Sequence, residues 1–341
     1  MNVKKYVGYR LVSSFFVLLG LSLLIFTLSR IVPGDPARLA LGPMAPQWAV
    51  DKLREELHLN EPIYTQYFYW LSNVLRGDLG KSLVTRREVF NDIREFFPAT
   101  FELVMFSVII SSVLAIVLGV TSGKYANSLW DNVVRVTSYV GIAMPAFVWA
   151  ILSVFIFGYI LRWFPTLGRI STGIALPQKV TGFLLVDSLL AGKLKVFADA
   201  FLHMILPGSA LIMGRLSQEA RITRASVVEN LNKDYIMASR SFGIPERSIT
   251  LKYLLKPSLI PTVAVMGMDI ASSMGGSFII ETIFNWPGIG RYGMSAMLSN
   301  DINAIVGVVM LVGVFFAFMN IVVDLITAYL DPRIMMKMKG G

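Results

Sequence analysis

Cysteine is absent from this chain, and histidine occurs only at His58 and His203. No disulfide framework, thiolate metal site or multi-histidine metal centre can therefore be assembled from its residues. Charge is scarce as well: Lys, Arg, Asp and Glu make up 16% of the sequence, against roughly 25% in ordinary soluble domains. An aqueous surface over most of the chain is thereby excluded. No H-E-x-x-H and no paired-carboxylate motif falls in an apolar stretch, so metal hydrolysis and intramembrane proteolysis lack their parts. Gly80-Lys81-Ser82 imitates the end of a phosphate-binding loop, but Leu75 stands where that loop needs its first glycine.

What is present is apolar: 55% of the 341 residues are hydrophobic. Five stretches, 11–28, 103–122, 136–161, 259–280 and 302–323, are long enough to cross about 30 Å of hydrocarbon. A sixth, 200–214, is short and carries His203 and Pro207, which leaves it between a span and a re-entrant segment. Lys and Arg in short flanking loops mark the cytoplasmic side. With six spans and an inner N-terminus, sixteen basic residues lie in the inner connections and six in the short outer ones. The expectation is an all-α membrane protein of six transmembrane helices, both termini cytoplasmic. The net charge of +9 is dispersed over membrane-flanking loops, which argues for orientation and against a nucleic-acid footprint. The first apolar segment lacks a small-residue cleavage site and reads as a retained anchor.

Between the first two spans lies a soluble insert in which acidic and basic residues nearly balance, expected on the extracytoplasmic side. It opens with Pro33-Gly34-Asp35-Pro36 and shows helical spacing over 48–57 and 64–75. The expected domains are residues 1–100, anchor plus insert; 101–331, a five-helix core with an inner loop over 215–258; and 332–341, a cytoplasmic tail. Small residues recur every fourth position at Ser111, Ala115, Gly119 and Gly123, and again in the pairs Ala271/Gly275 and Ser272/Gly276, as close helix packing requires. Pro145 predicts a kink in the third span.

The polar inner loop is the most informative part. Leu231, Tyr235, Ala238 and Phe242 form one apolar stripe at helical spacing, and Gly243 suits the residue just past that helix's end. Such a helix can lie in the headgroup region or lay its stripe into a groove of a soluble partner, and spacing does not separate the two. Asp269 stands near the middle of the fifth span, where a charge costs about 2.5 to 3.5 kcal/mol; it serves either a translocation path or a structural hydrogen bond. Glu281 precedes the Trp286-Pro287-Gly288-Ile289-Gly290 turn and reads first as a carboxylate bonded to that turn's amides, with a place on the path as the alternative. His203 reads as an interfacial histidine rather than a proton relay.

The segment Asp234-Tyr235-Ile236-Met237-Ala238-Ser239-Arg240-Ser241-Phe242-Gly243-Ile244, followed by Leu254-Leu255-Lys256-Pro257, resembles the EAA loop of ABC-importer permeases. The likeness extends along the chain through Pro33-Gly34-Asp35-Pro36, Leu59-Asn60-Glu61-Pro62 with Tyr67, Arg76-Gly77-Asp78-Leu79-Gly80 with Ser82, Pro98-Ala99-Thr100, Leu206-Pro207, Glu281-Thr282-Ile283-Phe284 and Asp331-Pro332-Arg333. It is similar above all to the first permease subunit of the dipeptide/oligopeptide group.

That resemblance implies a coupling helix whose docking surface is Asp234, Tyr235, Ala238, Arg240, Phe242 and Gly243. Met237 replaces the motif's glutamate, which bears on one salt bridge and not on docking, and Lys256-Pro257 replaces a more usual pair, which bears on how the next helix enters the bilayer. The candidates for the translocation path or gate are Asp269, from its depth in the fifth span, and Glu281, Trp286, Pro287 and Gly288 at the turn that follows it. The resemblance implies a non-enzymatic chain without metal or cofactor of its own, in a prokaryotic inner membrane. The implied partners are a homologous second permease, two cytoplasmic ATPases that bind ATP and magnesium, and an extracytoplasmic binding protein. Peptide is the first expectation for the solute, with oligosaccharide or a nickel complex on the same scaffold as the alternative. An ion-coupled secondary transporter is the more distant one.

Overall fold

A computed structural model describes residues 3–31, 36–42, 44–56 and 58–330. Helix follows helix through these residues, and strand pairing is limited to an isolated bridge between Lys81 and Glu88. Helix α1 (Val3–Ile31) leads into α2 (Pro36–Leu41), α3 (Gln47–Glu56) and α4 (Ile63–Leu75) of the insert. Both helices expected in the insert are present. Pro33, Gly34, Asp35, Leu57 and the segment from Asp331 to the basic tail lie outside the described residues. The insert returns to α1 through the Tyr67 hydroxyl, 2.8 Å from Ser22 Oγ, with the Tyr67 ring edge-on to Phe26.

The remaining helices are α5 (Val89–Lys124), α6 (Leu129–Ala143), α7 (Ala146–Ser153, prolonged by wide turns through Val154–Ile160), α8 (Leu184–Leu190), α9 (Leu194–Leu231), α10 (Asp234–Ser241), α11 (Glu246–Ser248), α12 (Leu255–Ile283), α13 (Ile289–Leu298) and α14 (Ile302–Leu330). Five helical stretches are long and apolar enough to cross a bilayer, and α6 with α7 makes a sixth candidate as a bent pair.

Two expectations change, and the span expected at 200–214 holds. The third span is not one kinked helix over 136–161: α6 and α7 diverge by 105° at Met144-Pro145. Proline disfavours helical backbone at the preceding residue, and Met144 is extended at φ −93°, ψ 125°. The ambiguous 200–214 segment is the centre of α9, a 38-residue helix that carries Pro207 within it. The polar stretch over 216–231 is therefore not loop but the second half of α9. Its charged residues had masked a helix whose amphipathic face packs inside the bundle.

The small residues of α5 do what their spacing predicts. Ser111, Ala115, Gly119 and Gly123 are buried, and α9 lies so close that a Cβ on Gly119 would come within 2.4 Å of Thr223 Cβ. Replacing Gly119 with valine is expected to destabilise the chain by about 1 to 3 kcal/mol through overpacking. Gly20→Val on α1, where a side chain meets nothing within 4 Å, is the control; loss of monodisperse protein on heating in detergent reads both. On α12 the packing expected within this chain is met by Ala271 alone of the four residues. Ala271 is buried, but Gly275 and Gly276 face open space rather than another helix of this chain.

α9 and α12 run antiparallel in a register set by three rungs. Ser258 Oγ donates to the Ser226 carbonyl at 3.5 Å, the Thr262 and Thr223 hydroxyls are 2.9 Å apart, and Met266 packs with Ala220. The next rung places Asp269 against the turn that holds Arg215 and Glu219.

Candidate functional site

Helix α10 is anchored on one face and open on the other. Ile236 is fully buried with Val227, Ile249 and Leu254, and Leu231, Ile244 and Val120 pack around them, so α5, α9, α10 and the approach to α12 share one apolar cluster. Leu231 belongs to that anchor and leaves the stripe assigned to it by spacing. Tyr235, Ala238 and Phe242 point outward, and Phe242 is 85% exposed.

The end of α10 is a Schellman cap. Gly243 N–H donates to the Arg240 carbonyl at 2.9 Å and Ile244 N–H to the Ser239 carbonyl at 3.2 Å, with Gly243 at φ +73°. Arg240 Nε donates across the turn to Glu246 Oε1 at 2.6 Å. Asp234 lies in the first turn, where a negative charge complements the helix dipole. The Tyr235 hydroxyl donates to Asn230 Oδ1 at 2.9 Å, and burial pushes this phenol up while nearby Lys233 pulls it down. The outward face is thus apolar in the middle, with Arg240 and Asp234 at its edges. All six residues assigned to docking are exposed; Tyr235, Ala238 and Phe242 share the outward stripe with Asp234 beside it, while Arg240 turns away to Glu246.

At the other end of the bundle, Glu281 and Trp286 meet in a closed knot rather than an open channel. Glu281 accepts from Thr100 Oγ1 at 2.7 Å, Ser277 Oγ at 3.0 Å and Arg291 N–H at 3.0 Å. Thr100 Oγ1 also accepts from Ile289 N–H at 2.7 Å, and Trp286 Nε1 donates to the Ala99 carbonyl at 3.0 Å. Both Glu281 and Trp286 are fully buried. A Cβ on Gly288 would stand 2.4 Å from Thr100 Oγ1 and 2.5 Å from Glu281 Oε2, so only glycine fits the approach. Pro287 lies in the same turn. This geometry agrees with the turn-binding reading of Glu281, and it explains Pro98-Ala99-Thr100 as the receiving side of the knot. Asp269 lies apart from it, two helical turns or more back along α12.

Several buried charges escaped the sequence reading. Glu102 accepts from Leu185 N–H at 2.8 Å and pairs with Arg169, which holds α8 and its preceding loop on α5. Arg224 binds Asp131 through Nε at 2.5 Å and through its second amino group at 2.6 Å, joining α9 to α6. Asp301 accepts from Ser82 Oγ at 2.6 Å and Leu83 N–H at 2.7 Å, latching the insert to the start of α14. Asp187 is drawn below the ordinary carboxylate range: burial opposes ionisation, but the Thr181 hydroxyl and the amides of Val180, Thr181 and Gly182 outweigh it. Glu102, Asp131 and Asp301 find partners in distant elements, a pairing that has no local signal, whereas Asp187 binds the turn that precedes its own helix. Among the described residues no group of three metal-ligating side chains occurs.

Comparison with known proteins agrees with this architecture. Residues 115–336 match the family described as binding-protein-dependent transport system inner membrane component, and residues 3–104 match the N-terminal membrane component of such systems. A probable D,D-dipeptide transport system permease protein of Escherichia coli K12 is 37% identical over 319 residues, 93% of this chain and 94% of that protein. A dipeptide transport system permease of Alkalihalophilus pseudofirmus is 35% identical over 93% of this chain and 95% of its own length. A glutathione transport system permease of Escherichia coli K12 is 32% identical over 97% of this chain and 99% of its own length.

Proposed function

From the premise that this chain belongs to the family of binding-protein-dependent transport inner membrane components, and is a multi-pass permease of an ABC importer, we propose that it forms one half of a peptide translocation path. α10 couples that half to an ATPase. A homologous second permease supplies the other half, two ATPases carrying ATP and magnesium lie on the α10 side, and a binding protein delivers solute on the side of the insert. Both termini are then cytoplasmic and the membrane is a prokaryotic inner membrane. Residues 1–100 act as anchor and extracytoplasmic insert, 101–331 as the core with its coupling loop at 215–258, and 332–341 as a cytoplasmic tail.

The observation that supports coupling most directly is the division of α10 into two faces. Tyr235, Ala238 and Phe242 are free to enter a groove. Ile236, on the opposite side, is fixed in an apolar cluster shared with α5, α9 and the approach to α12. Force applied to the first face reaches the long helices through packed side chains rather than through a hinge. Peptide is favoured as solute because the relatives transport dipeptides and glutathione by name. No bond is made or broken in this chain; hydrolysis belongs to the ATPases.

Reconstitution of the four membrane and ATPase subunits in vesicles tests the reading. Loaded binding protein on the insert side is expected to raise ATP hydrolysis and drive peptide inward. Turnover indifferent to loaded binding protein, or uptake that follows a proton gradient without ATP, would defeat it.

A further inference from the structure

We propose that Arg215, Glu219 and Asp269 form a station at mid-membrane depth for a cationic group of the passing solute, namely the protonated amino terminus of a peptide. The proposal rests on the importer reading above and names a place on its path. Asp269 is the middle residue of α12, about 21 Å from either end at 1.5 Å per residue. Arg215 and Glu219 stand four apart on α9, and the antiparallel register continues from Met266–Ala220 to bring Asp269 against them. The three side chains interact electrostatically. When all are ionised they carry an excess of one negative charge.

Elsewhere among the described residues the buried carboxylates are tied into hydrogen bonds. Asp131 is held by Arg224, Ser122 and the Asn127 amide, and Asp301 by Ser82 and backbone N–H groups. At the α9–α12 contact, one guanidinium nitrogen of Arg215, Oε2 of Glu219 and Oδ2 of Asp269 are all buried without a hydrogen-bond partner, and Glu219 is only 1% exposed. Leaving such groups unpaired costs about 1 to 3 kcal/mol each, more for charged ones. An arrangement this costly is expected where another molecule completes it.

The surface beside the cluster is open. Met268, Ser272, Gly275, Gly276 and Ile279 form an exposed face of α12, and a Cβ on either glycine would meet nothing within 4 Å. A chain can slide along this smooth strip while its ammonium exchanges water for the carboxylates. Arg215 keeps the two acids from repelling each other and limits how tightly the cation is held.

The absence of native cysteine makes the test clean, since Ser272→Cys gives the chain a single thiol on the open face. In the reconstituted complex, that thiol is expected to react faster with a trimethylammonium-ethyl thiosulfonate than with a sulfonate-ethyl thiosulfonate. Normalised to a small free thiol, the preference should be about tenfold or more. Asp269→Asn, or Glu219→Gln if the former does not assemble, should bring the ratio close to that of the free thiol. The same variants should lower uptake of a free-amine dipeptide about tenfold while loaded binding protein still stimulates hydrolysis. A thiol unreactive in every nucleotide state, or a ratio indifferent to both substitutions, would overturn the station. Loss of stimulation by binding protein in the unsubstituted complex would instead strike the importer reading.

Discussion

Phe242→Asp is expected to abolish ATP-driven uptake while leaving the subunit folded and inserted. The native ring is 85% exposed and sits at the end of α10, outside the apolar cluster that fixes the helix, so its removal exposes no core. The Gly243 and Ile244 cap bonds are made by backbone and survive the change. If the ring fills a groove in the ATPase, a carboxylate there must either lose its water or hold the surfaces apart. Central apolar anchors of this kind cost about 2 to 4 kcal/mol when lost, or roughly 30- to 1000-fold in docking strength at 1.4 kcal/mol per factor of ten. Phe242→Leu keeps an apolar side chain and should retain most uptake. Co-purification of the ATPase and uptake into vesicles measure the two halves of the effect. Wild-type uptake by the aspartate variant would rule α10 out as the docking surface.

Ile236, on the buried face of the same helix, carries the contrasting expectation. Its side chain is fully buried in the cluster with Val227, Ile249 and Leu254, so Ile236→Ala should act through stability, at about 2 to 5 kcal/mol. From exposed Tyr235 to buried Ile236, one residue along the helix, 100° of rotation turns the side chain from the coupling face to the packing face.

That contrast also shows what the sequence could reveal. Spacing at 235, 238 and 242 marked the outward stripe correctly because a short isolated helix obeys its own periodicity. Leu231 misled because it closes the long helix before the break, and its direction is set by α9. The long apolar runs gave α1, α5, α12 and α14 directly. α9 was obscured because Arg215, Glu219 and Arg224 lower its hydropathy, although two of these belong to the interior of the bundle. Charges that are settled or held by distant partners look, one residue at a time, the same as charges in a loop. The 105° bend at Met144-Pro145 was legible as a break but not as an angle, since proline dictates where helical backbone stops and packing decides where the next helix goes.

Glu281→Ala is expected to remove folded complex altogether. The carboxylate gathers the Thr100 and Ser277 hydroxyls and the Arg291 amide, and through Thr100 it also holds the Ile289 amide in place. Truncation leaves at least the Arg291 N–H and a Thr100 hydroxyl without their acceptor in a site that excludes water. At about 1 to 3 kcal/mol for each unsatisfied group, plus a cavity, the loss is on the order of 3 to 5 kcal/mol, comparable with much of a protein's net stability. Glu281→Gln preserves shape but turns an amide donor toward donors and should fall between the two. Because Thr100 and Glu281 act as a unit, Thr100→Val combined with Glu281→Ala should cost less than the two separately. Gly288→Ala should reproduce the damage from the other side, by driving a methyl group into the same two oxygens. Thermal unfolding of the purified complex, with uptake measured alongside, separates structure from path. If Glu281→Ala melts with the wild type yet fails to transport, the carboxylate serves the passing solute; if melting and assembly collapse together, it serves the turn.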